Sequence, residues 1–281
     1  MTKPLGIISG LGDLPVSIAQ NCIDSGRDVF VVRLKGFIEP QLEAFPGDVV
    51  GLGELGKLFS LLSGAGCEEV TFAGIVKRPN FKDLKLDFTG AKLLPKVLSA
   101  ARKGDDALLS LMVKEFERNG FTVIGSGEAN QSLLMSEGCL TVRQPTENDF
   151  SDIQKGAHIA GEMGRLDIGQ GCVVVNGLVL TVEAQEGTDE MLVRCANLPE
   201  ELRGSQANPQ GVLVKRPKPG QERRIDLPTA GMSTIENAAA SGLAGVALEA
   251  GGALLLDREA VIARANELGL FVFGFSPDIE L

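Results

Sequence analysis

The chain is predicted to be an α/β protein of two domains, an N-terminal Rossmann-like domain with a mostly parallel sheet and a C-terminal mixed α/β domain. Three observations predict this fold class. Short apolar runs alternate with segments of helical spacing, which is typical of βα units. A length of 281 residues suits one large domain or two ordinary ones. The alternation is lost around Met135–Thr146, so we place the domains at residues 1–137 and 138–281.

The elements of the first domain follow from apolar periodicity and from glycines at helix ends. The predicted strands are Leu5–Ser9, Asp28–Leu34, Glu69–Ala73 and Phe121–Ile124. The predicted helices are Leu14–Ser25, Glu54–Ser63, Lys92–Arg102 and Asp105–Asn119. Gly26 follows the first helix and Gly64 follows the second, as is typical of helix C-terminal ends. Asp105 is predicted to be the N-cap of the last helix.

The second domain is predicted to begin with a helix near Phe150–Met163 and to continue with a β-hairpin. Asn176-Gly177 lies between the apolar runs 172–175 and 178–183, and this dipeptide is the strongest short hairpin signal. Pro and Gly punctuate residues 199–231, which indicates a functional loop region. The remaining predicted elements are the strand Val212–Lys215, the helix Thr234–Ala240, the strands Val246–Glu249 and Ala253–Asp257, the helix Arg258–Leu268 and the strand Leu270–Phe275.

The charge of the chain argues against a nucleic-acid partner. The net charge is −10, and the chain has no Trp and no Tyr to stack on bases. Residues 1–134 hold 15 of the 27 Lys and Arg residues and 16 of the 37 acidic residues, which leaves 12 and 21 for the rest. The acidity therefore lies in the second half. It indicates either a solvated acidic surface or a carboxylate site for a hard cation.

The cysteine pattern predicts a cytoplasmic protein. The chain has five cysteines, an odd number, without a CxxC pair, which is typical of reduced thiols. The apolar start at Leu5–Leu11 is short and interrupted by glycine, so we interpret it as a strand and not as a signal peptide. No apolar run approaches the roughly 18 residues that a spanning helix needs. Any contact with a membrane is therefore expected to be peripheral.

A glycine-rich turn, Gly10-Leu11-Gly12-Asp13-Leu14-Pro15, follows the first predicted strand and opens a helix. Helix N-termini bind phosphates, so the turn suggests a nucleotide site. Pro15 replaces the third glycine of a dinucleotide fingerprint, and the second strand ends near Arg33 and not at an acid. A turn for another phosphate or nucleotide, a dinucleotide site and a plain tight turn remain open.

A basic segment covers Lys77–Lys103, with eight Lys and Arg residues interleaved with Phe and Leu. Such a segment suits anionic headgroups together with acyl chains. A solvated helix face beside a core explains it equally well. Within it, the pair Arg102-Lys103 precedes Asp105 and could face a phosphate or simply flank the helix start.

The second half carries a denser polar constellation. Three carboxylates, Glu183, Glu186 and Asp189, follow the predicted hairpin within seven residues. They either compensate the dipole of a helix that begins at Gly187 or hold Mg²⁺ through oxygen. A cationic loop and a second arginine-rich stretch, residues 215–221 and 223–229, add groups that phosphoryl transfer requires. The single histidine, His158, makes zinc and a Ser-His-Asp triad improbable.

Six stretches of the chain carry a family resemblance when they are taken together. They are GLGDLP (Gly10–Pro15), AGIVKRP (Ala73–Pro79), ARKGDDALL (Ala101–Leu109), GRLDIGQG (Gly164–Gly171), VEAQEGTD (Val182–Asp189) and the segment Lys215–Gly231. With them the whole chain resembles the UDP-2,3-diacylglucosamine pyrophosphatases of the LpxI type. The resemblance implies two α/β domains with substrate in the cleft between them. It also implies Mg²⁺ (or Mn²⁺) and hydrolysis of the diphosphate to UMP and 2,3-diacylglucosamine 1-phosphate (lipid X), in which water attacks the phosphorus on the sugar side.

Site roles are assigned on this basis, and only Asp226 matches an essential residue of the family. The predicted catalytic residues are Asp226, Glu183 and Arg224. The predicted substrate-binding residues are Gly10, Gly12, Lys77, Lys215, Gln221, Thr188 and Thr229. The predicted metal ligands are Glu186 and Asp189.

The expected partners are the lipid substrate and the inner membrane surface. The protein is expected to be cytoplasmic and peripherally associated with the inner membrane, and to bind no nucleic acid. A homodimer is left open. The alternative functions are an NAD(P)-dependent oxidoreductase and a non-catalytic carrier of a nucleotide-sugar or lipid.

Overall fold

The computed structural model of the chain describes residues 2–220 and 222–278. The chain divides into two compact units between Ser132 and Leu133. Each unit has its own sheet flanked by helices, which confirms the predicted two-domain α/β class. The division falls a few residues before the predicted boundary at 137/138.

The first unit contains a five-stranded parallel sheet in the order β3-β2-β1-β4-β5. Its strands are β1 (Leu5–Ser9), β2 (Val29–Leu34), β3 (Gly47–Val50), β4 (Glu69–Ala73) and β5 (Thr122–Val123). Its helices are α1 (Asp13–Asp24), α2 (Leu55–Gly64), α3 (Phe88–Ala101), α4 (Asp105–Arg118) and α5 (Ser126–Ala129), with short 3-10 helices at Pro40–Ala44, Phe81–Asp83 and Gln131–Leu133. This strand order is that of a Rossmann-like half, as predicted.

Two local features of the first unit differ from prediction. Strand β3 was missed because it is short, begins with Gly47 and is only half-buried. Gly47 is needed there, since a Cβ would lie 1.9 Å from the carbonyl oxygen of Val31. The N-cap of α4 is Gly104, with φ 121°, and not Asp105, which is the first helical residue. Asp105 therefore acts on the helix dipole and not as the cap.

The second unit contains a six-stranded mixed sheet in the order β6-β13-β11-β9-β7-β8 and a separate pair β10-β12. Its strands are β6 (Gly138–Cys139), β7 (Gly171–Val175), β8 (Leu178–Val182), β9 (Val212–Lys215), β10 (Thr229–Ala230), β11 (Gly245–Glu249), β12 (Leu254–Leu255) and β13 (Phe271–Phe275). Its helices are α6 (Glu147–Arg165), α7 (Gly187–Ala196), α8 (Glu200–Arg203), α9 (Met232–Ala240) and α10 (Arg258–Leu268). The predicted strand Ala253–Asp257 is thus reduced to β12, which pairs with β10 and not with the main sheet.

Helices cover both faces of the second sheet. Side chains of α7, α9 and α10 join one buried cluster with residues of β7, β9, β11 and β13. On the other face, α6 packs against β9 and β7. Gly156 permits this approach, because a Cβ there would lie 2.4 Å from Val214 Cγ2. The sheet is therefore the middle of three layers.

The hairpin β7–β8 is confirmed, and α6 holds its turn. Asn176 and Gly177 both have positive φ, 50° and 77°, as a two-residue hairpin turn of this type requires. The fully buried Asp152 of α6 accepts hydrogen bonds from the backbone N–H of Asn176 (2.9 Å) and of Gly177 (2.6 Å). One carboxylate therefore fixes the helix against the turn.

Asp152→Ala is expected to lower the free energy of unfolding by about 3 kcal/mol, because the two N–H groups of the turn lose a charged acceptor. Urea unfolding followed by circular dichroism measures this, since the chain has no Trp or Tyr to report by fluorescence. Asn148→Ala is the control: Asn148 donates to the side chain of Asn176 at 2.8 Å on the exposed side of the same turn. If the two variants lose equal stability, the clamp by Asp152 is wrong.

Candidate functional site

The strongest polar constellation lies at one edge of the second sheet. Strands β9, β11 and β13 are parallel, and β8 runs in the same direction because both β8 and β9 are antiparallel to β7. Their carboxyl ends therefore share one edge, where open α/β sheets bind ligands. Lys215 ends β9, Glu249 ends β11 and Glu183 follows β8 directly. The edge thus collects three buried charged side chains.

Lys215 is the centre of this constellation. Its side chain is buried and its Nζ donates to the carbonyl oxygen of Thr229 at 2.8 Å. Burial lowers the pKa of the Lys215 ammonium from its usual value. Three carboxylates oppose this shift and favour the charged form: Glu183, Asp189 and Asp226. The structure thus brings together residues of three different segments that were predicted to be functional.

Glu183 presents a buried acceptor beside Lys215. Its Oε1 accepts a hydrogen bond from Thr188 Oγ1 at 3.0 Å, while its Oε2 has no hydrogen-bond partner among residues 2–220 and 222–278. Gly171 fits against both side chains, since a Cβ there would lie 2.9 Å from Glu183 Oε2 and 3.3 Å from Lys215 Cγ. A buried carboxylate oxygen of this kind can accept a hydrogen bond from a bound ligand.

Asp226 lies on a tight turn between β9 and β10. The backbone N–H of Asp226 donates to the carbonyl oxygen of Glu222 at 3.2 Å. Arg224, a predicted catalytic residue, donates from its Nε and Nη2 to the two carboxylate oxygens of Glu222, each at 2.8 Å. This contact lowers the pKa of the Glu222 carboxyl. The bidentate pair stiffens the turn and engages the guanidinium group.

The predicted metal ligands do not form a metal-binding cluster. Glu186 is exposed and pairs with Arg194, and Asp189 is exposed and accepts a hydrogen bond from Ser233 Oγ at 3.4 Å. Within the described ranges, no three His, Cys, Asp or Glu side chains come close enough to share one metal ion. The two predicted metal ligands, Glu186 and Asp189, thus contact Arg194 and Ser233 in this structure, and their role toward Mg²⁺ stays a prediction.

The other cations of the loop after β9 also have acidic partners. Lys218 Nζ donates to Asp167 Oδ1 at 2.7 Å, and Arg216 and Arg223 both reach Glu249. Glu249 was missed as a site residue, although a charged residue that ends a buried apolar strand is a signal for it. Gln221, a predicted substrate contact, lies outside the described residues.

The first unit holds the remaining predicted residues, Gly10, Gly12 and Lys77. Gly10 follows β1 and fits closely, because a Cβ would lie 2.5 Å from the carbonyl oxygen of Ile75. Gly12 precedes α1, and its N–H donates to Glu39 Oε2 at 3.1 Å. Lys77 is exposed on the loop after β4. The N–H group of Gly12, which was expected to bind phosphate, thus donates its hydrogen bond to the Glu39 carboxylate.

Three features of this turn disfavour a dinucleotide. Leu11 and Ile75 exchange two backbone hydrogen bonds, of 3.0 and 2.8 Å, across the ends of β1 and β4. That crevice is where a Rossmann domain places its dinucleotide. Arg33 does not face a ligand, since its Nη1 donates to the carbonyl oxygens of Leu42 and Phe45. The third feature is that Glu39 accepts a hydrogen bond from the N–H of Gly12 at the N-terminus of α1.

Fold and site together define a two-domain α/β protein with a buried Lys-carboxylate site at the carboxyl edge of its second sheet. The LpxI N-terminal domain family matches residues 4–133, and the LpxI C-terminal domain family matches residues 136–273. A protein of Caulobacter vibrioides (strain ATCC 19089 / CIP 103742 / CB 15) named UDP-2,3-diacylglucosamine pyrophosphatase LpxI is 52% identical over 275 residues, 98% of each chain. The chain belongs to the LpxI family.

Proposed function

We propose that the chain hydrolyses the pyrophosphate bond of UDP-2,3-diacylglucosamine to UMP and 2,3-diacylglucosamine 1-phosphate (lipid X). The name of the Caulobacter relative and the match over nearly the whole chain support this reaction. One structural observation carries it: the Lys215 ammonium is buried, donates to the carbonyl oxygen of Thr229 at 2.8 Å, and is stabilised in its charged form by the carboxylates of Glu183, Asp189 and Asp226. Such a site can stabilise a phosphoryl group and orient a water molecule.

In this proposal the water oxygen attacks the phosphorus on the sugar side, and the bond from that phosphorus to the bridging oxygen breaks. The bridging oxygen leaves with UMP and gains negative charge. Asp226 orients the water and accepts its proton, and Lys215 stabilises the developing charge. Glu183 Oε2 accepts a hydrogen bond from the substrate or the water, while Thr188 fixes the other oxygen of the same carboxylate.

The direct test is release of UMP from UDP-2,3-diacylglucosamine by the purified protein. A carrier binds this substrate and releases no UMP. An oxidoreductase requires a nicotinamide site, which the hydrogen bonds of Leu11, Gly12 and Arg33 disfavour. Substrate binding without any UMP therefore contradicts the proposed reaction and favours the carrier.

Asp226→Ala is expected to abolish turnover and to leave the dissociation constant of the substrate nearly unchanged. The reason is that the carboxylate acts on the water in the transition state and does not anchor the ground state. UMP release and equilibrium binding are measured side by side. Asp278→Ala, which changes an exposed aspartate of the same unit, is the matched control. Turnover of Asp226→Ala within about threefold of wild type, or about 0.6 kcal/mol, contradicts the role.

Magnesium is proposed as the cofactor from the family resemblance alone. The predicted ligands Glu186 and Asp189 do not form a ready site. Mg²⁺ commonly uses one or two carboxylates together with phosphate oxygens and water, so it does not require a three-carboxylate cluster. When bound, Mg²⁺ would neutralise charge on the diphosphate.

Chelation by EDTA is therefore expected to stop UMP release, and added Mg²⁺ or Mn²⁺ to restore it. Zn²⁺ is not expected to replace them, because the chain has a single histidine. The measurement is turnover against free metal concentration. Full activity in excess chelator contradicts the metal requirement.

Peripheral contact with the inner membrane is proposed for the outward face of the basic segment. No helix in the described part of the chain is long and apolar enough to cross a membrane. Phe88, at the start of α3, is 86% exposed, and Ile75 on the preceding loop is 65% exposed. Lys92 and Lys96 of α3 are also exposed. Aromatic and aliphatic side chains beside lysines suit the surface of an anionic bilayer, which supplies the diacylated substrate.

Replacing Lys82, Lys85 and Lys92 together with Gln is expected to weaken binding to anionic vesicles at least fivefold, because each lysine near the surface adds attraction. Hydrolysis of detergent-solubilised substrate should be unchanged. Vesicle sedimentation at rising ionic strength measures the binding, which salt should weaken. The matched control replaces three exposed lysines of the same unit, Lys35, Lys57 and Lys114. Equal vesicle binding by both triple variants contradicts the proposal that this surface contacts the membrane.

The possible homodimer stays a prediction.

A further inference from the structure

One buried carboxylate holds two arginines of the segment that carries Asp226. Glu249 ends β11 and is fully buried. Its Oε2 lies 2.9 Å from Arg216 Nη2, and its Oε1 accepts a hydrogen bond from Arg223 Nη2 at 3.5 Å. The two arginines lie at the start and in the middle of the segment between β9 and β10. A single side chain of the sheet therefore restrains both positions.

Arg216 is the fixed end of this arrangement. Its backbone N–H donates to the carbonyl oxygen of Gln170 at 3.0 Å. Its guanidinium also donates to the carbonyl oxygen of Ala157 on α6 at 3.4 Å and to that of Pro277 at 3.2 Å. These partners all belong to the scaffold around the sheet, so the start of the segment is tied to several elements at once.

Arg223 lies in the same tight turn as Asp226. The N–H groups of Ile225 and Asp226 both donate to the carbonyl oxygen of Glu222, at 3.0 and 3.2 Å. Arg224 closes the turn further by its bidentate contact with Glu222. Because these contacts stiffen the turn, a contact between Arg223 and Glu249 restrains the turn that carries Asp226.

Packing around Glu249 admits little movement. A Cβ on Gly252 would lie 2.4 Å from Glu249 Oε1 and 3.0 Å from Pro217 Cγ. The glycine therefore lets the carboxylate and the proline of the segment pack together. A larger residue at position 252 would push the carboxylate away from Arg223.

We propose that Glu249 is a positioning residue that fixes Asp226 through Arg223 and Arg216, so that these two arginines anchor the site and do not bind the diphosphate. The expected effect on UMP release rests on the proposed function. The expected effect on the mobility of residues 222–228 does not. Lys215, at the end of β9, then supplies positive charge that the Asp226 carboxylate influences.

The kinetic test uses Arg223→Gln, because the Arg223 side chain is 57% exposed and its loss should not unfold the protein. We expect kcat for UMP release to fall at least tenfold and KM to change less than threefold. Glu249→Gln should show the same division between kcat and KM. The double variant should lose no more than Glu249→Gln alone, because the contact between Arg223 and Glu249 is already broken in that variant. Arg223→Lys, which keeps a cation facing Glu249, should recover most of the activity.

The kinetic result differs if Arg223 binds a phosphate group of the substrate. If Arg223→Gln raises KM at least tenfold while Glu249→Gln leaves it unchanged, Arg223 binds the substrate and the proposal is overturned. Turnover of both single variants within about threefold of wild type overturns it too. So does a double variant whose losses multiply.

Amide hydrogen exchange tests the anchor without any turnover. Glu249→Gln and Arg223→Gln should each speed exchange across residues 222–228 at least tenfold relative to wild type. Glu236→Gln, which breaks the surface pair with Arg264 in the same unit, should not change it. Unchanged exchange in the first two variants rejects the anchor whatever the activity. Altered exchange together with a wild type that releases no UMP rejects only the proposed reaction.

Discussion

Burial of the Lys215 ammonium is the constraint on which the site depends. A charged group inside a protein loses its hydration, at a cost of several kcal/mol unless oxygen atoms replace the water. The carbonyl oxygen of Thr229 supplies one of these atoms at 2.8 Å, and the carboxylates of Glu183 and Asp226 supply negative charge. Glu183 follows β8, and Asp226 and Thr229 lie on the turn before β10 and at the start of β10. Satisfying a single cation therefore draws two separate segments to the end of β9.

Glycines make this convergence possible, because the absence of a side chain lets neighbouring backbone and side-chain atoms approach closely. A Cβ on Gly169 would lie 2.1 Å from the carbonyl oxygen of Glu183, and one on Gly171 would touch both Glu183 and Lys215. The same holds in the first unit, where Gly10 packs against the backbone of Ile75. Of the two glycines in the phosphate-type turn, Gly10 thus serves backbone approach, whereas a Cβ on Gly12 would meet no atom within 4 Å and Gly12 instead has a φ of +96°.

Charge composition predicted the site only in part. The excess of acid in the second half left a solvated acidic surface and a carboxylate site for a cation both open, and much of that acid neutralises the arginines and lysines of its own unit. Glu222 holds Arg224, Asp167 holds Lys218, and Glu186 pairs with Arg194. Composition counts charges and does not say which ones meet, so it could not separate the two interpretations. Asp226, in contrast, came from the family resemblance and lies close enough to Lys215 to influence its charge.

The sequence by itself determined the local elements. Apolar periodicity placed Val212–Lys215 and Arg258–Leu268 at their observed bounds, and Asn176-Gly177 fixed the hairpin, because these signals act between residues close along the chain. The resemblance of six stretches of the chain to the LpxI-type enzymes determined the family. Only the tertiary structure decided that β12 leaves the main sheet and that Glu249 meets Arg216 and Arg223. Strand order brings residues that are far apart in the chain to one edge, and no local preference encodes that order.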